Sequence, residues 1–162
     1  MSTPVAADGI AYAAGSYEKQ TLLAIKFSDA KGEITGTKNI IWSKKRGTPY
    51  VPSPLLLGGW IYYLRHYQGI LSRVNALTGE EPSGPFRLGP IFNVYSSPVS
   101  ANWKIYITDR NGKSIVITDS EQPKILSLNE LSDRFSASPA IINGNFILRG
   151  EKSIYCIFSD KQ

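Results

Sequence analysis

A chain of 162 residues with 42% hydrophobic, 11% aromatic and 19% charged residues has apolar mass enough for a core, which excludes disorder; its tyrosine-rich, charge-poor make-up suits sheets rather than exposed helices. Eighteen basic against 13 acidic residues give a net charge of +5, but the basic residues are scattered. The one compact run, Lys44-Lys45-Arg46, precedes Gly47 and Pro49 in an expected exposed loop, so no basic stripe points to nucleic acid.

The predicted elements repeat. In the first segment, residues 3–47, Thr3-Pro4 opens a short apolar run, Asp8-Gly9 marks a tight turn, and a second run centres on Tyr12. A third strand is expected at Leu22-Leu23-Ala24-Ile25 and a fourth, outermost one at Asn39-Ile40-Ile41-Trp42. The second segment, residues 48–92, restates this with Ser53-Pro54, Gly58-Gly59, Tyr62, a third strand at Ile70-Leu71-Ser72-Arg73-Val74 and a fourth at Phe86-Arg87-Leu88. The third, residues 93–133, has Ser97-Pro98, an expected turn at Ala101-Asn102, Tyr106, then Ser114-Ile115-Val116-Ile117 and Lys124-Ile125-Leu126-Ser127-Leu128. The fourth, residues 134–162, has Ser138-Pro139, Asn143-Gly144, Ile147 and Ser153-Ile154-Tyr155-Cys156-Ile157, with no fourth strand.

The four prolines lie 50, 44 and 41 residues apart, near the ~40–50 residues of one propeller blade, and the key residue of the second run falls eight positions after each proline. The turn residues tolerate the positive φ angles of tight hairpins, and turns with Gly69, Asn111-Gly112 and Gly150 introduce the later third strands. Gly or Pro interrupts almost every apolar window, which excludes long helices; the best helical stretch, Leu128 to Asp133, amounts to a turn or two. A sandwich of short strands is the all-β rival, but it does not predict the fixed spacing. Alternation places Ile61, Ile105, Ile147 and Ile154 in the core and makes Cys156 a buried structural thiol.

Ser53-Pro54-Leu55-Leu56-Leu57-Gly58-Gly59-Trp60-Ile61-Tyr62 and Val74-Asn75-Ala76-Leu77-Thr78-Gly79 resemble the propeller repeats of quinoprotein dehydrogenases and of bacterial outer-membrane assembly scaffolds, the quinone (PQQ)-like repeat family. The resemblance implies an all-β propeller, a single domain over residues 1–162, built of four four-stranded antiparallel blades with the last lacking its outer strand. Such an array is either half of a seven- or eight-bladed ring or a minimal ring. Asn75 stands where the family has aspartate, the Thr-Gly turn is missing from the third and fourth repeats, and the outer-strand tryptophan survives only as Trp42. In the family that turn and tryptophan lock adjacent blades, so looser or differently packed blades are implied. Neither the family's catalytic aspartate with calcium ligands nor its adjacent cysteine pair has a counterpart, so no quinone, metal or other cofactor is expected.

Catalysis has little to stand on. His66 is the sole histidine and Cys156 the sole cysteine, which excludes a Cys/His metal site and an intramolecular disulfide. No serine sits in a nucleophile elbow, the carboxylates Glu80-Glu81 and Asp119/Glu121 read as solvated charge in turns, and no glycine-rich loop opens a helix. The expected function is a non-catalytic module that binds a protein or small ligand on the propeller face, with Arg65, His66, Asp109, Arg110 and Arg149 at the ends of the second strands as candidate contacts. Tyr17, Tyr50, Trp60 and Trp103 offer stacking surface, with core packing their other use. The alternatives are half of a quinone-dependent dehydrogenase-like enzyme, a small-ligand binder, or a polyanion binder. An open half-ring would expose apolar faces at both ends, which implies a homodimer. The amino terminus lacks a basic start and an apolar stretch, and no segment approaches the ~20 apolar residues of a membrane span, so a soluble chain without export signal is expected. The resemblance suggests a periplasmic or extracytoplasmic setting if an upstream segment exists.

Overall fold

The computed structural model describes residues 2–15, 20–66 and 69–158, and among them it holds fifteen strands and no helix. They form four antiparallel sheets, each in chain order from inner to outer strand. The first blade contains β1 (Val5–Ala7), β2 (Ile10–Gly15), β3 (Thr21–Lys26) and β4 (Ile40–Lys44), and the second contains β5 (Leu55–Leu57), β6 (Trp60–Arg65), β7 (Ile70–Asn75) and β8 (Phe86–Arg87). The third contains β9 (Val99–Ala101), β10 (Lys104–Thr108), β11 (Lys113–Thr118) and β12 (Ile125–Glu130), and the fourth contains β13 (Ala140–Ile142), β14 (Asn145–Arg149) and β15 (Ile154–Ile157). The segment from Leu128 thus extends a strand rather than turning helical, because its backbone pairs with β11 as far as Lys113↔Glu130.

The proline spacing is a statement about register. Val5 pairs with Tyr12, Leu55 with Tyr62, Val99 with Tyr106 and Ala140 with Ile147, so in each blade the residue after proline faces the residue eight beyond it. Two consecutive positive-φ residues close each hairpin: Asp8-Gly9, Gly58-Gly59, Asn102-Trp103 and Asn143-Gly144. That geometry matches the right-handed twist of the flanking strands. In the third blade the turn lies one residue later than Ala101-Asn102, because Ala101 still pairs with Lys104.

Neighbouring inner strands meet in the order β1 to β5, β5 to β9 and β9 to β13, and β13 makes no contact with β1. The described residues therefore form an open arc of four blades and do not close the minimal ring. Between the first two blades Tyr12, Leu22 and Ala24 pack on Ile61, Tyr63 and Val74; between the next two, Tyr62, Leu64 and Leu71 pack on Ile105, Ile107, Ile115 and Ile117. Trp42 on β4 donates from Nε1 to the Ala76 carbonyl at 2.9 Å, and its ring lies so close to Gly79 that a Cβ there would stand 2.7 Å from it. Asn75 Oδ1 accepts the N–H groups of Leu77 and Thr78. The asparagine thus shapes the turn, and the tryptophan-to-turn lock joins the first two blades.

Ile61 and Ile105 are fully buried, as expected. Ile147 is only half-buried, Ile154 is 74% exposed and Cys156 is exposed. The reason is positional: alternation puts these three on the side of the fourth blade that faces away from the third, and no sheet covers that side. Leu148, on the covered side, is buried instead. The carboxylate of Glu81 is not solvated either. It accepts from Lys44 Nζ at 2.9 Å and from Arg65 Nη2 at 2.5 Å, with its side chain 12% exposed, so Lys44 leaves the expected basic loop and becomes part of a link between blades.

Candidate functional site

Turns after the second strands share one side of the arc, and there the sequence-predicted residues divide by role. Arg65 is committed to Glu81 and to Ser72 Oγ, at 2.5 Å each. His66 is exposed at a φ of 54° and stacks on Tyr50 with ring centres 5.1 Å apart. Asp109 is fully buried, its carboxylate accepting the N–H groups of Asn111 and Lys113, so it shapes its turn rather than facing outward. Arg110 lays its guanidinium 5.1 Å over Tyr95, and its buried Nε meets no acceptor. Arg149 is exposed beside Arg134 and Glu151 at a shallow depression of about 280 Å³. The five residues do not converge on one point.

In the fourth blade Asp133 takes the role of the turn-shaping carboxylate, accepting the N–H groups of Arg134, Lys152 and Ser153 and the hydroxyl of Tyr155. Burial alone would raise its pKa, but these hydrogen bonds outweigh it and hold the carboxyl below the ordinary aspartate range.

Between the second and third blades, Tyr62 donates to Asp119, and Arg73 Nε donates to the Tyr62 oxygen at 2.8 Å while its guanidinium lies 3.4 Å over Trp60. Trp60 is thereby used in packing. Desolvation first, with the hydrogen bond to Asp119 second, raises the Tyr62 pKa well above that of free tyrosine. This is a neutral phenol bridging a buried cation and a carboxylate, and its hydrogen bonds hold blades together.

The opposite side, formed by the turns between first and second strands, has a different character. Three of those turns end in glycine, and the third ends in Trp103, at a φ of 56° and 69% exposed. A bulky side chain in left-handed backbone is strained. Its indole reaches over the neighbouring blade, where a Cβ on Gly58 would sit 3.3 Å from the ring. On the same side a groove of about 660 Å³ runs between the first two blades, lined by Val5, Tyr12, Leu55, Leu56, Ala76 and Leu77. Leu77 is 67% exposed. The sequence offers Trp103 as stacking surface, but its special position shows only when the four turns are aligned. Tyr17 lies outside the described residues.

Among the described residues no cluster of His, Cys, Asp and Glu could hold a metal ion, and no helix is long and apolar enough to cross a membrane. No protein-family model and no curated protein matches the sequence. Among solved structures, the crystal structure of BamB from Moraxella catarrhalis superposes with a TM-score of 0.70 at 15% identity, covering 94% of this chain and 41% of BamB. The shared architecture defines the chain as a β-propeller protein. It spans less than half the length of BamB.

Proposed function

We propose that the chain is a non-catalytic protein-interaction module that presents its Trp103 side to a protein partner. The observation that carries this reading is Trp103 itself: an exposed indole held in left-handed backbone where the other three turns have glycine. Strain kept at an exposed site needs a return elsewhere, and large aromatics are the commonest anchors of protein interfaces. The apolar groove between the first two blades extends the same surface.

Trp103→Gly separates folding from function. Glycine relieves the strain, so the variant keeps its β-rich spectrum and its unfolding midpoint stays level or rises. Captured partners are lost with this bait and retained with Arg149→Ala. Equal capture by Trp103→Gly and wild type overturns the reading. The other side supports a second reading, a small anionic ligand or polyanion held at the shallow depression where Arg149 lies beside Arg134. Binding of that kind weakens steeply with salt. The uncovered sides of the first and fourth blades are further protein-binding surfaces, and association with another copy of the chain belongs to this proposal.

A further inference from the structure

One hydrogen bond is repeated along the inner rim of the arc. The N–H of Thr3 donates to Ser53 Oγ at 2.8 Å, that of Ser53 to Ser97 Oγ at 2.8 Å, and that of Ser97 to Ser138 Oγ at 2.9 Å. Each residue is the one before proline in its repeat, so an interior blade gives an N–H to the next blade and receives one from the blade before. Among the described residues the relay stops at both ends. Ser138 and Thr3 are exposed, the Ser138 N–H meets no acceptor, and the Thr3 hydroxyl receives no donor. A threonine hydroxyl accepts as a serine hydroxyl does, so the first blade carries the group that the last blade lacks.

The sheet faces beyond the relay are both apolar and uncovered. Since Tyr12 and Ala14 pack on the second blade, alternation turns Ala11 and Ala13 to the outer side of the first blade, with their pairing partners Ile25 and Leu23. The uncovered side of the fourth blade carries Ile142 and Ile154, 53% and 74% exposed, together with Ile147 and its partner Cys156. Inside the arc, the residue equivalent to Cys156 is Val116, which shares a groove with Phe146 and Leu148 of the following blade. In the first blade the positions of Phe146 and Leu148 belong to Ala11 and Ala13, by their distance from the repeat proline.

The geometry points to a second copy of this chain as the occupant of both uncovered faces. Two arcs related by a half-turn about the ring axis form an eight-bladed ring, in which each Ser138 N–H donates to the Thr3 hydroxyl of the other copy and each Cys156 meets Ala11 and Ala13. Eight blades lie within the range of ~4–8 seen in propellers, and a half-turn closes the assembly rather than growing a filament. At about 3.3 Å per residue and about 4.8 Å between strands, one face covers about 300 Å². Four such faces reach about 1,200 Å², the lower bound of a stable interface. The inference rests on reading the chain as a protein-binding module and names the occupant of its two ends.

Ala13→Cys tests the register, because Cys156 is the only native cysteine. Wild type at high micromolar concentration has twice the chain mass by light scattering. Mild oxidation of A13C with copper phenanthroline gives a covalent dimer on a non-reducing gel, and C156S added to A13C abolishes it. Ile154→Asp keeps the β-rich spectrum and halves the mass. A monomeric wild type, a ladder of covalent trimers and larger species, or cross-linking by wild type alone overturns the ring. Trp103→Gly leaves the mass unchanged, so a monomeric wild type whose partner is still lost on Trp103→Gly sinks the ring alone, and a dimer indifferent to Trp103 sinks the other proposal alone.

Discussion

The Tyr63 hydroxyl donates to the Gly47 carbonyl at 2.8 Å from a side chain with no solvent exposure. Desolvation, with the Glu81 charge second, pushes its pKa from 10.0 up to about 12. The folded state therefore holds this proton more tightly than the unfolded state. The associated stability is complete below pH 10 and is lost as pH rises towards 12, an effect of about 3 kcal/mol by linkage. Tyr63→Phe gives up a hydrogen bond worth about 1 kcal/mol at pH 8, yet its stability declines less steeply between pH 10 and 12. Urea midpoints of both proteins across that window check this; equal slopes refute it. The same pair shows why single residues were only partly legible. Tyrosine in an alternating strand announces burial, whereas the carboxylate beside it is 37 residues from Lys44 and 16 from Arg65. Nothing local reveals that the chain brings these charges together.

Between elements, register was legible and coverage was not. The turn and its two strands occupy about ten residues, so the distance from proline to its pairing partner is written locally in all four repeats. Whether a strand's far side meets another sheet depends on what stands next to the blade. That is why alternation placed Ile61 and Ile105 correctly but put Ile154 in the core, where the structure leaves it 74% exposed. The tryptophan lock was legible from the resemblance at its one surviving position. Trp42→Ala removes the ring that packs on the Gly79 turn and leaves the Ala76 carbonyl without its donor, a loss of about 3 kcal/mol. Thermal or urea unfolding measures it, and a change below about 1 kcal/mol would mean that the turn and strand hold the blades without the ring.

Across the molecule, cohesion falls along the chain. Buried clusters join the first blade to the second and the second to the third. The third and fourth meet through Tyr106 and Phe146, ring centres 5.2 Å apart, beside a groove of about 490 Å³. Amides of β14 and β15 are therefore expected to exchange with solvent at least tenfold faster than those of β6 and β7, a gap of about 1.4 kcal/mol in local opening. Hydrogen exchange resolves this, and uniform protection would contradict it. The rim relay carries a further consequence for synthesis on the ribosome, which releases the chain from its amino end and lets completed units fold in turn. Each hydroxyl acceptor belongs to the blade made after its donor. Each of the first three blades thus presents an N–H that awaits the serine of the next, and the growing edge rather than the finished one carries the signal for where the next unit docks.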